Sequence, residues 1–143
     1  MNTLIANNSK FLPVAGRVLL AAIFLSSGLS KVTGWDASLA YVESAGVPLP
    51  ATLLLLAATL TELVGGAFIV AGFQTRAAAL VLAGFSIVTG VLFHNYWAVT
   101  DAQMAYFQSI MFWKNISMAG GFLVLAGFGA GALAVDNVLA KKA

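Results

Sequence analysis

Five ionisable side chains stand in or beside long apolar runs: Arg17, Lys31, Glu62, His94 and Lys114. An ionisable group at the centre of a membrane helix costs about 2.5–3.5 kcal/mol, so it persists where it is paired or has work to do. Glu62 is the deepest, about twelve residues into a run with no other charge, roughly 18 Å by helical rise. Ala58, Thr59, Gly65 and Gly66 share its face, and such small residues let a neighbouring helix approach closely. Arg17 lies within about one helical turn of the same depth in the first apolar run, so a buried Arg17–Glu62 ion pair is expected. A second reading, compatible with the first, makes Glu62 a proton carrier or a ligand contact.

A second constellation gathers at one membrane boundary. Lys31 follows Arg17, Leu20, Phe24 and Gly28 along one helical face that should point inward. His94 lies eighteen residues, or five turns, after Arg76, sharing a face with Leu80, Ile87 and Gly90. Lys114 and Asn115 open the next run at a similar level, with Trp97 and Trp113 nearby. Singly, each basic residue reads as an interfacial side chain that snorkels to water. Together, Lys31, His94, Trp97, Trp113, Lys114 and Asn115 read as a pocket for a polar head, either a quinone carbonyl or an anion. No catalytic residue can be named, because one histidine near a helix end does not make a Ser–His–Asp arrangement. The glycines at 127, 129 and 131 follow no strand and fit helix packing better than dinucleotide binding.

The elements that hold these residues follow from composition. Of 143 residues, 61% are hydrophobic and 8% charged, against about 45–50% and about 25% in a soluble domain. Twelve charges cannot cover a soluble surface, and a mean hydropathy of +0.96 agrees. An ordinary soluble enzyme, a disordered chain and a nucleic-acid binder are excluded, the last because seven Lys and Arg are too few and too scattered. The partner by composition is the lipid bilayer. With no cysteine and one histidine, thiol redox pairs, iron–sulfur clusters, Cys-bound zinc and bis-His haem are excluded. No metal site is expected, and a redox role would need a bound organic cofactor or a partner's metal.

Hydropathy predicts an all-α integral membrane four-helix bundle forming a single domain over 1–143, with helices at about 11–30, 51–72, 76–93 and 115–135. The aromatic-rich stretch from Tyr96 to Trp113 suits the membrane–water boundary, or else forms the first turns of a longer fourth helix. Pro13 suits a first helical turn, Thr75 is placed to cap the third span, and Asp36 to cap a short surface helix ending near Gly46. Lys10, Arg17, Arg76, Lys141 and Lys142 fall on one side and only Lys31 and Lys114 on the other, which predicts both termini in the cytoplasm. An alternative makes residues 1–28 a cleaved signal peptide, with three spans remaining.

The stretch Arg17-Val18-Leu19-Leu20-Ala21-Ala22-Ile23-Phe24-Leu25-Ser26-Ser27-Gly28-Leu29-Ser30-Lys31 resembles the opening helix of the DoxX family. In the same order follow Gly46-Val47-Pro48, Glu62, Gly72-Phe73-Gln74-Thr75-Arg76, His94, Phe112-Trp113-Lys114-Asn115 and a Gly-rich turn ending in Asp136. The resemblance spans roughly residues 11–137 and is closest to the short bacterial inner-membrane members. It implies a multi-pass inner-membrane protein linked to electron transfer, with Arg17, Lys31, Glu62, His94, Lys114 and Asn115 at the family's polar positions. The leading expectation is a membrane subunit or anchor of a quinone-linked redox complex, non-catalytic or quinone-binding, with a soluble or membrane redox partner. The alternatives are a small transporter or channel using Arg17 and Glu62, and a structural module without chemistry that forms a homo-oligomer.

Overall fold

The computed structural model describes residues 10–141. The first nine residues of the alternative leader, and Lys142, lie outside the described residues. Among the described residues six α-helices follow in order: α1 (Leu12–Thr33), α2 (Trp35–Ser44), α3 (Ala51–Ala71), α4 (Thr75–Phe93), α5 (Ala102–Phe128) and α6 (Val135–Ala140). A 3₁₀ turn, Tyr96–Ala98, joins α4 to α5, and no strand occurs among the described residues. The four segments built on α1, α3, α4 and α5 are long and apolar enough to cross a membrane. The chain is an all-α, four-span integral membrane protein.

Small residues set how closely these helices approach. On α1 the buried positions are Arg17, Ala21, Phe24 and Gly28, a single stripe at helical spacing. Gly28 abuts Leu63 and the Glu62 Cβ of α3, and Gly66 of α3 abuts Leu25 of α1, which makes the pair antiparallel and tight. Leu82 of α4 fills the space over Gly65, while Gly90 of α4 faces Asn115 and Phe112 of α5. Contact between α1 and α5 is sparse; it runs through Leu20 against Gly121 and Phe24 against Phe122, whose rings meet edge-on at 5.3 Å. Phe24, Ile69, Leu82 and Phe122 form a buried layer across the middle of the bundle. The inward stripe of α4 is Ala78, Ala79, Leu82, Ala83, Ser86 and Gly90. Of the face drawn through Arg76 and His94, Leu80 and Ile87 are instead exposed, so they meet lipid.

Three local expectations are corrected. The last span is not 115–135 but Ala102–Phe128, thirteen residues earlier at its start. The Asp101 carboxylate accepts from Met104 N–H at 2.7 Å and starts the helix, and the aromatic-rich stretch supplies its first turns. Its hydropathy of 1.3, against 2.0 or above for α3 and α4, hides it from a hydropathy scan. Gly129 and Gly131, at φ 83° and 80°, then end it. Asp36 lies inside the first turn of α2 without a capping bond; Gly34 occupies the cap. Thr75 is the first residue of α4 and not its cap, since the Asp136 carboxylate accepts from Gln74 N–H (2.7 Å) and Thr75 N–H (3.0 Å). A residue 61 positions away therefore does the capping.

Candidate ligand-binding site

At the end of the bundle where α1 stops and α3 begins, a cavity of about 450 Å³ opens between α1 to α5. Its walls are mostly apolar, with Phe24, Phe85, Leu54, Val88 and Met118 among them. Lys31, Glu62, His94, Lys114 and Asn115 all contribute to its lining. Four of the six residues expected to form a head-group pocket therefore share one cavity. Trp97 and Trp113 do not line it: they are 58% and 57% exposed, with both rings packed on Phe112 and that of Trp97 also on Tyr96.

Glu62 is paired, but with Lys31. The Lys31 ammonium donates to Glu62 Oε2 at 2.8 Å, to Oε1 at 2.9 Å and to Ser27 Oγ at 2.7 Å, which accounts for its three protons. Ser27 Oγ in turn donates to Glu62 Oε1 at 3.1 Å. The side chains of Lys31 and Glu62 are 22% and 7% exposed, so the pair is held largely inside the protein. The expected Arg17–Glu62 pair does not form. Helix packing sets Glu62 opposite Gly28, and Arg17 is eleven residues further along α1, about 16 Å away by rise.

The rest of the polar wall is fixed by neighbours that sequence reasoning did not single out. His94 Nδ1 is 2.8 Å from Gln108 Oε1, reachable because α5 begins early enough to lie beside the end of α4. Asn115 Nδ2 donates to Met111 O at 3.0 Å, and Thr89 Oγ1 donates to Phe85 O at 2.8 Å. Lys114 has Met111 Sδ at 3.9 Å as its nearest polar contact among the described residues. Ser27 was legible in principle, since it sits one turn before Lys31 on the same face; Gln108 was not, because the helix carrying it reads as loop.

Arg17 belongs to the opposite end. It is 2% exposed, and its Nη2 donates to Leu133 O at 2.8 Å across a separation of 116 residues. The guanidinium packs against Gly72 at the C-terminus of α3, where the helix dipole favours a cation. Asp136 stands close by: burial raises its pKa, but the hydrogen bonds from Thr75 and Gln74 and the charge of Arg17 outweigh this and leave it below its ordinary value of 3.8. Arg76 donates to Ala126 O and Gly127 O, both at 2.8 Å, binding the end of α5. These contacts strap residues 129–140 across this end and close it.

The lowered carboxyl has a consequence for stability. A group with a depressed native pKa stabilises the fold above its unfolded value and loses that contribution as pH falls through the native one. The strap should hold fully above about pH 5 and loosen as pH drops below 3.8. Asp136→Ala should cost about 1 kcal/mol at neutral pH, as lost helix caps do, and flatten this acid limb. Hydrogen exchange of the Gln74 and Thr75 amides between pH 3 and 7 (corrected for intrinsic rates) would check it; an acid limb unchanged in the variant would refute the assignment.

A bundle of this kind, four membrane helices around an apolar cavity with a polar rim at one end, defines a polytopic membrane protein. The DoxX profile matches residues 12–95, and the SURF4 family profile matches residues 59–143. Inner membrane protein YqjF of Escherichia coli (strain K12) is 39% identical over 132 residues, covering 90% of this chain and 92% of that protein. Inner membrane protein YphA of the same strain is 36% identical over 121 residues, covering 85% of each. ER-derived vesicles protein ERV29 of Saccharomyces cerevisiae is 25% identical over 127 residues, 89% of this chain but 33% of that longer protein. No solved structure matches. The chain belongs to the DoxX family, and it is a multi-pass inner-membrane protein.

Proposed function

We propose that this protein is a membrane subunit that holds a quinone-type head group in the cavity at the Lys31 end, serving a redox partner. One observation carries the reading: polar side chains from α1, α3, α4 and α5 converge on a mostly apolar chamber that one head group would fill. Apolar walls suit an isoprenoid-bearing ligand, and a few fixed polar groups orient its ring. Lys114 and Asn115 are placed to contact the ring oxygens, while the Lys31–Glu62–Ser27 cluster fixes the floor of the chamber. With both termini cytoplasmic, as the charge distribution favours, the cavity faces the outer leaflet, where a soluble or membrane partner would meet it.

The test is direct. Purified protein in nanodiscs is titrated with a short-chain benzoquinone and binding is followed by calorimetry. Micromolar binding is expected, and Asn115→Leu combined with Lys114→Leu should weaken it at least tenfold while leaving the thermal melt in place. No heat of binding to the intact protein overturns the proposal. A channel using Glu62 is the competing reading; the Phe24–Ile69–Leu82–Phe122 layer stands between the two polar ends and weighs against it. Glu62→Gln should accordingly leave proton leak in liposomes unchanged.

A further inference from the structure

We infer that the ligand enters the cavity sideways from the bilayer, through the seam between α1 and α5, and leaves its chain in a groove on the flank of α5. This rests on the reading of the cavity as a quinone-type site and adds its entrance and the seat of the ligand's tail.

The seam follows from where α1 and α5 part. They meet at Leu20 against Gly121 and at Phe24 against Phe122. Beyond Phe24 the same face of α1 continues through Ser27 to Lys31, which turn to Glu62 of α3. The face of α5 that meets Leu20 continues through Ser117 and Lys114, four and seven residues before Gly121, and both are exposed. Beyond the Phe24 level, α1 therefore leaves this face of α5 uncovered. Ile23 stands on the flank of α1 beside the gap: it lines the cavity, yet is 42% exposed.

A second space lies outside the gap. On α5 a mostly apolar groove of about 510 Å³ is lined by Ser109, Ile110, Trp113, Lys114, Ser117 and Met118. Lys114 and Met118 line the cavity as well, so two flexible side chains stand where groove and cavity adjoin. The end facing water is roofed instead. Tyr41 of α2 stacks on Phe93 of α4 with ring centroids 5.7 Å apart, and Val42 is buried; all three line the cavity. A head group arriving from water would have to part Tyr41 from Phe93. One arriving from the bilayer meets the Lys114 and Met118 side chains, and its chain never leaves an apolar medium. The ligand class this fits is an amphiphile dissolved in the membrane, with its ring in the cavity and its tail along α5.

The experiment uses the full chain in nanodiscs with a benzoquinone whose decyl chain ends in an alkyl diazirine. After irradiation, labelled residues are mapped by mass spectrometry, with and without an excess of the same benzoquinone lacking a chain. Label that the competitor removes should fall on residues 109–118 and at Ile23. Such label on residues 35–44 in place of these overturns the inference while leaving the proposed function standing. A second arm tests the route. Ile23 and Met118 stand level across the seam, three residues after Leu20 and three before Gly121, and the chain has no cysteine of its own. The double variant Ile23→Cys with Met118→Cys, bridged by a bifunctional maleimide, should take up the probe at least tenfold more slowly than the same protein capped with a monofunctional one. Equal rates overturn the inference; if the double variant fails to fold, the label map decides alone. Label that the competitor leaves untouched everywhere defeats the proposed function, and this inference with it.

Discussion

Lys31→Met is expected to destabilise the bundle by about 3–5 kcal/mol, the usual penalty for leaving a buried charge without its partner. Glu62 is held by Lys31 and Ser27, and with Lys31 gone the Ser27 hydroxyl is the partner that remains. The Glu62 side chain is 7% exposed, and the cavity it lines is its route to water, so an unpaired carboxylate there is poorly solvated. The double variant Lys31→Met with Glu62→Leu should recover most of the loss, because well-packed apolar residues often substitute for a buried pair without cost. Thermal melts of the three proteins in one detergent would decide between accounts. If the double variant is as unstable as the single, packing of the lysine stem matters and the charge does not.

Gly72→Val is expected to be the most damaging single change at the other end, at about 3–5 kcal/mol from strain and overpacking together. Gly72 has φ 68°, a left-handed conformation that a β-branched residue adopts only under strain. A Cβ there would also overlap Arg17 Nη1 and come within 2.7 Å of Ala134 Cβ. The buried guanidinium has no room to step aside, so the loss should spread to the Leu133 contact and the Asp136 cap. Gly72→Ala should show the same direction with a smaller loss. Hydrogen exchange would then report opening of residues 129–140 before α1 and α3 separate; simultaneous opening of all four spans would contradict this order.

The apolar framework of this fold is readable because hydropathy and helix length obey bilayer thickness, which is why three spans match expectation within a few residues. The fourth is misplaced because a helix rich in Tyr, Trp and Gln at its start looks like an interfacial loop when only mean hydropathy is consulted. Depth near the end of a span is readable too, and it brought Lys31, His94, Lys114 and Asn115 to one level; depth in mid-span is not, since Arg17 lies about 16 Å along α1 from the residue facing Glu62. Lateral register is not: whether Arg17 or Lys31 meets Glu62 depends on where Gly28 and Gly66 let α1 and α3 interlock. That is a property of two surfaces fitting together and leaves no trace in either segment alone. The Asp136 cap on α4 is invisible for the same reason, being a contact between residues far apart in the chain.

The length of α5 has a further consequence. At 27 residues it runs about 40 Å, against a hydrocarbon slab about 30 Å thick, whereas α4 has 19 residues. Because Gly90 of α4 is level with Asn115, the surplus lies beyond the end of α4, as a stub of nearly three turns carrying the exposed rings of Tyr106 and Phe107. Hydrophobic mismatch is thus confined to one helix at one face of the bilayer. A thinner membrane would expose more of the stub without tilting its neighbours, and a thicker one would draw its aromatic rings into the acyl region. The bundle sets its own height in the membrane by that single overhang.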